Sequence, residues 1–358
     1  MKTLYRYAMV FLASLTLLMI GISTTPMMFD ESHYVGAARA FIAGTPSTNP
    51  EHPPLAKYFI ALSIKTFGDH ALGWRFPSAL AGALAALSVF GLTWTMTRSL
   101  HTSYVAWLLT IANGFWFVMS RVAMLSIFEL AFETAGVWAL LFAVQEKKTR
   151  WFGFSGALFG LSIASRWCGV IGLAVCVVYA LVYYRSFFKS AAVSMTIGTA
   201  ILVYAVTWIP LIVREHRTTR YLLTANEYIF QFHRHVEGDP RLVEAWWTWI
   251  FRLRPQPSLS YLVGNPVVAI LGIAAIVALL WHKKPLLPAL YLAHIVQWAI
   301  AIRPLTYYYY YLEAFTWLTV ALAVALQGVA MRRVRFDVVV TGCALAVFVQ
   351  WYVHWYAA

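Results

Sequence analysis

The chain has 358 residues, of which 61% are hydrophobic, 16% aromatic and only 11% charged, a composition outside the range of soluble domains. Its net charge of +13 could suggest a nucleic acid partner, but the basic residues are scattered between apolar runs and form no contiguous basic surface interleaved with aromatics. Cys168, Cys176 and Cys343 all lie inside apolar runs, which excludes a disulfide framework and a CxxC metal site and leaves them as packing residues.

The expected class is an all-α polytopic membrane protein, with one transmembrane domain over residues 1–358. A helix needs roughly 20 apolar residues to cross a bilayer. On that basis the spans fall at 5–22, 76–97, 103–119, 123–144, 151–165, 167–184, 190–212, 261–281, 286–301, 305–327 and 336–356, a bundle of about 11 helices. The first, preceded by Lys2 and Arg6, has the layout of a secretory signal, but its cleavage pattern is poor and the topology works better if it is retained. With the N-terminus inside, the short inner connections carry Arg98, then Lys147, Lys148 and Arg150, then Arg185 and Lys189, then Lys283 and Lys284, then Arg332, Arg333 and Arg335, as the positive-inside rule requires. The protein is thus expected in the plasma membrane with its functional face outside.

Two long polar segments then lie outside, 23–75 and 213–260. In the first, Tyr34, Ala38, Phe41 and Ile42 recur at helical spacing and Gly44 and Pro46 end the run, which predicts a helix along the interface. A second interfacial helix follows Pro53 and Pro54, residues suited to a first helical turn, and continues through Leu55, Phe59, Ile60 and Leu62. The second segment has seven basic residues, all Arg, from Arg214 to Arg254, a choice that favours bidentate contact with phosphate or carboxylate. Trp246, Trp247, Trp249 and Phe251 add an aromatic cluster suited to the interface or to stacking on a sugar face.

Several side chains could carry chemistry. Asp30 and Glu31 open the first segment: Asp30 as an N-cap with Glu31 in the first turn is a sufficient structural reading, and a general base at the membrane surface is the functional one. Glu51, His52 and Lys57 bracket the two prolines, and with His33 they offer donors for a divalent metal, although the spacing matches no ligand pattern and no metal site is assigned. Arg121 is placed at the outer end of the fourth span, with Glu129 and Glu133 deeper in it at an i, i+4 spacing. Carboxylates at that depth cost about 2.5 kcal/mol or more, so these, and Glu313, are expected to face partners in a polar network. Arg166 and Arg303 fall on outer edges, where a single Arg is commonly a headgroup anchor and several converging would make a phosphate site. No P-loop, GxSxG, HExxH or dinucleotide fingerprint occurs.

Read together, FDESHY with Asp30 and Glu31, HPPLAK from His52 to Lys57, WRFPSAL from Trp74, SRVAML from Ser120, SRWCG from Ser165, GNP from Gly264 and YYYLEA from Tyr309 follow the order of the protein O-mannosyltransferase family. The chain resembles that family and its GT-C relatives, glycosyltransferases that use a polyprenyl-phosphate sugar. The resemblance implies a GT-C bundle that moves a sugar, mannose first, to an acceptor hydroxyl on a protein, lipid or glycan at the outer face, by an inverting displacement. It makes Asp30 the base with Glu31 its neighbour, maps the SR motif onto Arg121, and directs the search for phosphate-side cations to Arg166, Arg303, Lys57 and the Arg-rich segment. His52, Glu129, Tyr309 and Tyr310 are the substrate-side candidates. Departures are Ser126 where an Asp is common, Tyr310 in place of a His and Glu313 in place of a proline; Glu129 is the candidate for the acidic role missing at Ser126. Three other readings share the residues: transfer of another sugar such as aminoarabinose, a lipid-linked-sugar transporter or flippase, and a non-catalytic assembly partner. No internal repeat of the kind transporters show is evident.

Overall fold

The computed structural model describes residues 2–183, 191–238, 243–252, 262–300, 303–327, 329 and 335–357. Arg185, Lys189, Arg241, Arg254, Arg332 and Arg333, invoked above for topology or phosphate contact, lie outside the described residues. Among the described residues the chain is all helical, in the order α1 (Lys2–Met19), α2 (Glu31–Ala43), α3 (Leu55–Phe67), α4 (Ala71–Thr97), α5 (Leu100–Ile111), α6 (Gly114–Met119), α7 (Leu125–Glu146), α8 (Thr149–Ser165), α9 (Gly169–Tyr183), α10 (Ala191–Val206), α11 (Ile209–Arg214), α12 (Tyr221–His235), α13 (Pro266–Trp281), α14 (Leu286–Ile300), α15 (Leu312–Leu326) and α16 (Phe336–Ala357). Two 3₁₀ turns, Trp246–Phe251 and Tyr308–Tyr311, complete the set.

Among the described residues five stretches are long and apolar enough to cross a bilayer: Ala71–Thr97, Leu125–Glu146, Ala191–Arg214, Tyr308–Leu326 and Phe336–Val353. Four shorter apolar helices accompany them, within α1, α9, α13 and α14. Among the described residues the expected count of eleven spans is not reached by length. The third expected span is broken where Asn113 Oδ1 accepts the Phe115 amide and caps α6, whereas α10 and α11 together still make one apolar stretch across Pro210. The protein is an integral membrane protein, and α4, α7 and α15 form its buried centre while α10 and α16 leave most of their apolar surface open.

Helix packing follows small residues. In α8, Gly156 and Gly160 let α10 approach so closely that a Cβ at Gly156 would stand 2.2 Å from the Thr196 carbonyl oxygen. Asn265 of the GNP run caps α13 with Oδ1 and donates from Nδ2 to the Ala112 and Ala344 carbonyls, tying α5, α13 and α16 together. The two helices expected in segment 23–75 form as α2 and α3, and α2 ends where Gly44 adopts a left-handed φ of 76°. At one end of the bundle Arg98 reaches Gln145 and His101 reaches Asp337. At the other end α2, α3, α12 and the α8–α9 and α14–α15 connections come together.

Candidate active site

The connection from α1 to α2 is fixed by one buried ion pair. Arg75 of α4 donates from Nε and Nη2 to the two oxygens of Glu31, each at 2.7 Å, and both side chains are completely buried. The remaining donors of Arg75 serve the carbonyls of Ile22, Thr25 and Pro26 and the Thr25 hydroxyl. Glu31 also accepts the amides of Met28 and Ala123. Both oxygens of Glu31 are thus taken up by donors of the protein, so the geometry gives this carboxylate the work of holding the turn. The turn it holds carries Phe29 at a φ of 54°, a conformation rare for a bulky residue, directly before Asp30.

Asp30 occupies the N-cap position of α2, but its side chain makes no capping bond, so the structural reading of that carboxylate does not hold. Its Oδ2 instead accepts the Tyr309 hydroxyl at 2.9 Å, and Phe29 packs edge-on against the Tyr309 ring. Asp30 is half-buried. Among the described residues this carboxylate has no cation paired with it.

Beside this wall lies a cavity of about 210 Å³ lined by His52, Arg166, Trp167, His233, Trp298 and Arg303, among others. The Arg166 guanidinium stacks on the Tyr310 ring at 4.6 Å and donates from Nη1 to Glu313 (2.8 Å) and Ser126 (3.3 Å). Arg303 lies 5.5 Å from the Tyr310 ring and 5.9 Å from Tyr307, and its Nη1 donates to His233 Nδ1 at 3.0 Å. The His52 and His233 rings are 5.2 Å apart. Burial, then the neighbouring Arg303 and Arg166, lowers the His233 pKa to about 4; burial, then His233 and the nearby cations, holds His52 well below the usual histidine value. Both imidazoles are therefore neutral at physiological pH, and the two guanidiniums supply the charge.

The structure thus brings together Asp30, Tyr309, Tyr310, His52, Arg166 and Arg303 at one end of the bundle, and it moves other candidates away. Arg121 lies in the turn before α7, not in a helix, and its Nη1 caps α1 through the carbonyls of Leu18 and Ile20, with the guanidinium over Phe117. Lys57 is buried behind the cavity, its Nζ donating to the Asn49 and His52 carbonyls, and burial brings its pKa down to about 7. It shapes the loop that presents His52. Glu129 is fully buried beside Glu313 and Glu133, away from the cavity lining, while Glu313 is the carboxylate that meets Arg166 next to Ser126. Glu133 accepts from His294 and Trp317, the polar network expected of it.

The Arg-rich segment also differs from expectation. Arg214 caps the end of α2 through the Phe41 and Ile42 carbonyls, Arg217 pairs with Glu215, and Arg252 pairs with Glu244. Among its described residues, the segment's charged or polar contribution to the cavity is His233, which sequence reasoning missed. A signal existed: Ala225, Ile229 and His233 follow one another at four-residue spacing, and the first two are the buried stripe of α12. Of the tryptophans, Trp249 is buried against Trp298 and Tyr311 while Trp247 is exposed. Cys168 lines the cavity, and Cys343 is exposed and not a packing residue. His33 is exposed on α2, and among the described residues no group of three or more His, Cys, Asp or Glu is arranged to hold a metal ion.

A family model described as dolichyl-phosphate-mannose-protein mannosyltransferase matches residues 51–210. The chain resembles protein mannosyltransferases. The polyprenol-phosphate-mannose–protein mannosyltransferase of Corynebacterium glutamicum is 33% identical over 217 residues, covering 53% of this chain and 42% of that one. Its counterpart from Mycolicibacterium smegmatis is 33% identical over 176 residues, 41% of this chain and 34% of the relative. The match therefore spans about two fifths or less of the length of these mannosyltransferases. In three dimensions, ArnT from Cupriavidus metallidurans bound to undecaprenyl phosphate superposes with a TM-score of 0.66 at 16% identity, over 90% of this chain and 60% of that one. The Archaeoglobus fulgidus oligosaccharyltransferase, tethered to an acceptor peptide, gives 0.60 at 13% identity, over 97% and 55%. At such identities the likeness is one of fold, the GT-C bundle.

Proposed function

We propose that this chain is a membrane glycosyltransferase that moves a sugar, mannose first, from a polyprenyl-phosphate donor to an acceptor hydroxyl, with Asp30 as general base in a single inverting displacement. One observation carries the reading: a half-buried carboxylate, held by Tyr309 and without a paired cation among the described residues, stands beside a cavity whose cations there are Arg166 and Arg303. A lipid phosphate is a leaving group that needs charge stabilisation more than protonation, so one base and two guanidiniums suffice. The acceptor hydroxyl gives its proton to Asp30, its oxygen attacks the anomeric carbon, and the bond to the phosphate oxygen breaks towards the arginines.

Tyr309 orients the base, Tyr310 forms the face on which Arg166 stacks, and His52 contributes a neutral edge to the phosphate side. The functional face is the outer one in this reading, because the short connections at the opposite end carry Arg98, Lys147, Lys148 and Lys283. The sequence likeness to polyprenol-phosphate-mannose–protein mannosyltransferases favours mannose over aminoarabinose. Of the two glutamates that keep a transporter reading open, Glu129 and Glu133, the second is engaged by His294 and Trp317, which favours a polar network within the bundle, while Glu129 lies buried beside it.

The test is Asp30→Asn in the reconstituted protein with a labelled polyprenyl-phosphate mannose. Transfer should fall to background while the melting temperature is unchanged, and transfer at the wild-type rate would exclude the base assignment.

A further inference from the structure

His233 has no place in the transfer step described above, yet its surroundings are specific. A guanidinium offers only donors, so the 3.0 Å contact with Arg303 Nη1 makes His233 Nδ1 the acceptor. The proton of the neutral ring then lies on Nε2, and the ring packs against that of His52 in the loop before α3. His233 thus joins α12, the loop before α3 and the connection before α15. Nδ1 is its one open basic position, and it faces a cavity shared with His52, Arg166 and Arg303.

The other charged and titratable groups near the ring are accounted for. The Glu51 carboxylate accepts from Asn49, Lys57 is held by carbonyls behind His52, Arg234 lies over Phe230, and His235 engages Gln231. Arg166 is matched by Glu313. Arg303, in contrast, has a neutral histidine and two aromatic faces as its partners among the described residues, and its Nε is buried without a hydrogen-bond acceptor. That is a cation still short of an anion.

We propose that His233 is a phosphate ligand that takes up a proton as the lipid phosphate binds: the anion draws Arg303 away, and the vacated Nδ1 takes a proton from the bulk solvent, keeps it, and donates a hydrogen bond through it to a phosphate oxygen. The inference rests on the reading of this cavity as the donor phosphate site. In the empty cavity a proton on Nδ1 would face two guanidiniums with no anion between them. With phosphate present the same proton completes the neutralisation. The transfer step increases the demand, because the released lipid phosphate is a monoester and can carry one more negative charge than the diester donor.

Sign and size follow from linkage. A group whose pKa rises on binding strengthens binding below its bound-state pKa, by about tenfold for each pH unit, until the free-state value of about 4 is reached. The probe is farnesyl phosphomannose, a phosphodiester with one constant charge across this range, so that the ligand does not titrate. Binding to the full chain in phosphatidylcholine nanodiscs is measured by calorimetry in buffers of different ionisation enthalpy, from pH 4.5 to 8. The expected result is uptake of about one proton in the acid part of the range, with affinity rising about tenfold per unit as pH falls. His233→Gln, which keeps an acceptor for Arg303, should still bind the probe but lose the proton uptake. Wild-type binding without proton uptake, or His233→Gln with the wild-type proton count, overturns the inference and leaves the donor site standing. A wild-type protein that does not bind the probe overturns both. A wild-type protein that binds without proton uptake overturns the inference even if the variant does not fold.

Discussion

The ion pair between Arg75 and Glu31 makes a prediction with a size. Glu31→Gln preserves volume and shape but removes the charge opposite a fully buried guanidinium, and it turns one of the two accepting oxygens into an NH2 that faces donors. Removing one partner of a buried pair costs about 3–5 kcal/mol, because the other charge stays buried and uncompensated. At about 1.4 kcal/mol per tenfold, the turn that carries Phe29 and Asp30 should lose its native arrangement by a factor on the order of 10² to 10³ or more. Two assays separate the outcomes. If the whole bundle depends on the pair, the melting temperature in nanodiscs falls by about 6–10 °C, taking roughly 2 °C per kcal/mol for a large domain. If only the turn depends on it, the melting temperature holds and sugar transfer falls by at least a hundredfold, since the displaced residue is the one adjacent to Glu31. The double variant Glu31→Leu with Arg75→Met should recover stability relative to either single change, without recovering transfer. Glu31→Gln with both melting temperature and transfer at wild-type levels would refute the positioning role.

Three further outcomes are expected. Tyr309→Phe removes a hydrogen bond to a carboxylate that contributes about 1.5–3 kcal/mol, so transfer should fall about ten- to a hundredfold with the fold intact; an unchanged rate would separate Tyr309 from the base. Because His233 has a pKa of about 4 in the folded protein and an ordinary value near 6.5 unfolded, the unfolded chain binds more protons between those limits, and ligand-free stability should fall as pH drops from 6.5 to 4. His233→Gln should flatten that dependence in a thermal melt, and a wild-type slope in the variant would contradict it. Gly156→Leu should separate α8 from α10 and lower the melting temperature by several degrees, since even a Cβ there meets a backbone carbonyl; a neutral effect would mean that the helices can part without cost.

Hydropathy and charge made the bundle legible because bilayer burial imposes one pattern on every span, and α2 and α3 appear where periodicity and the Gly44 and Pro53 signals put them. The breaks in the spans were harder to see. Asn113 ends α5 by capping α6 from within an apolar run, an effect of one side-chain oxygen that averaging over a window removes. The site was legible in its residue types but not in their pairing. Asp30 and Glu31 are adjacent and chemically alike, and what separates them is Arg75, 44 residues away, which turns Glu31 inward and leaves Asp30 to Tyr309. Arg121 and Arg166 both follow a serine at a helix boundary, yet one meets carbonyls that end α1 and the other meets Glu313. The Arg-rich segment misled for a related reason: an arginine fork fits backbone carbonyls and carboxylates of the protein as well as it fits phosphate, and nearby acceptors were already present in α2, Glu215 and Glu244.

That competition for acceptors indicates where an anion belongs. An arginine whose donors meet a carboxylate is neutralised by the protein itself, as Arg75 is by Glu31 and Arg166 is by Glu313. Arg303 meets a neutral imidazole and aromatic faces, so the cavity it shares with His233 keeps close to one unit of positive charge, which matches a phosphodiester. Displacing a phosphomonoester from a sugar raises the negative charge at the same place. A site with a fixed single charge would hold the donor well and the separating phosphate less well, whereas one that gains a proton on His233 follows the change. Glu313→Gln should expose the difference: with Arg166 released from its carboxylate the cavity carries an additional fixed positive charge, and the lipid monophosphate product should bind more tightly relative to the diester donor. Product inhibition of transfer by undecaprenyl phosphate would report that shift. Inhibition unchanged from the wild type would mean that Glu313 does not set the charge the phosphate meets.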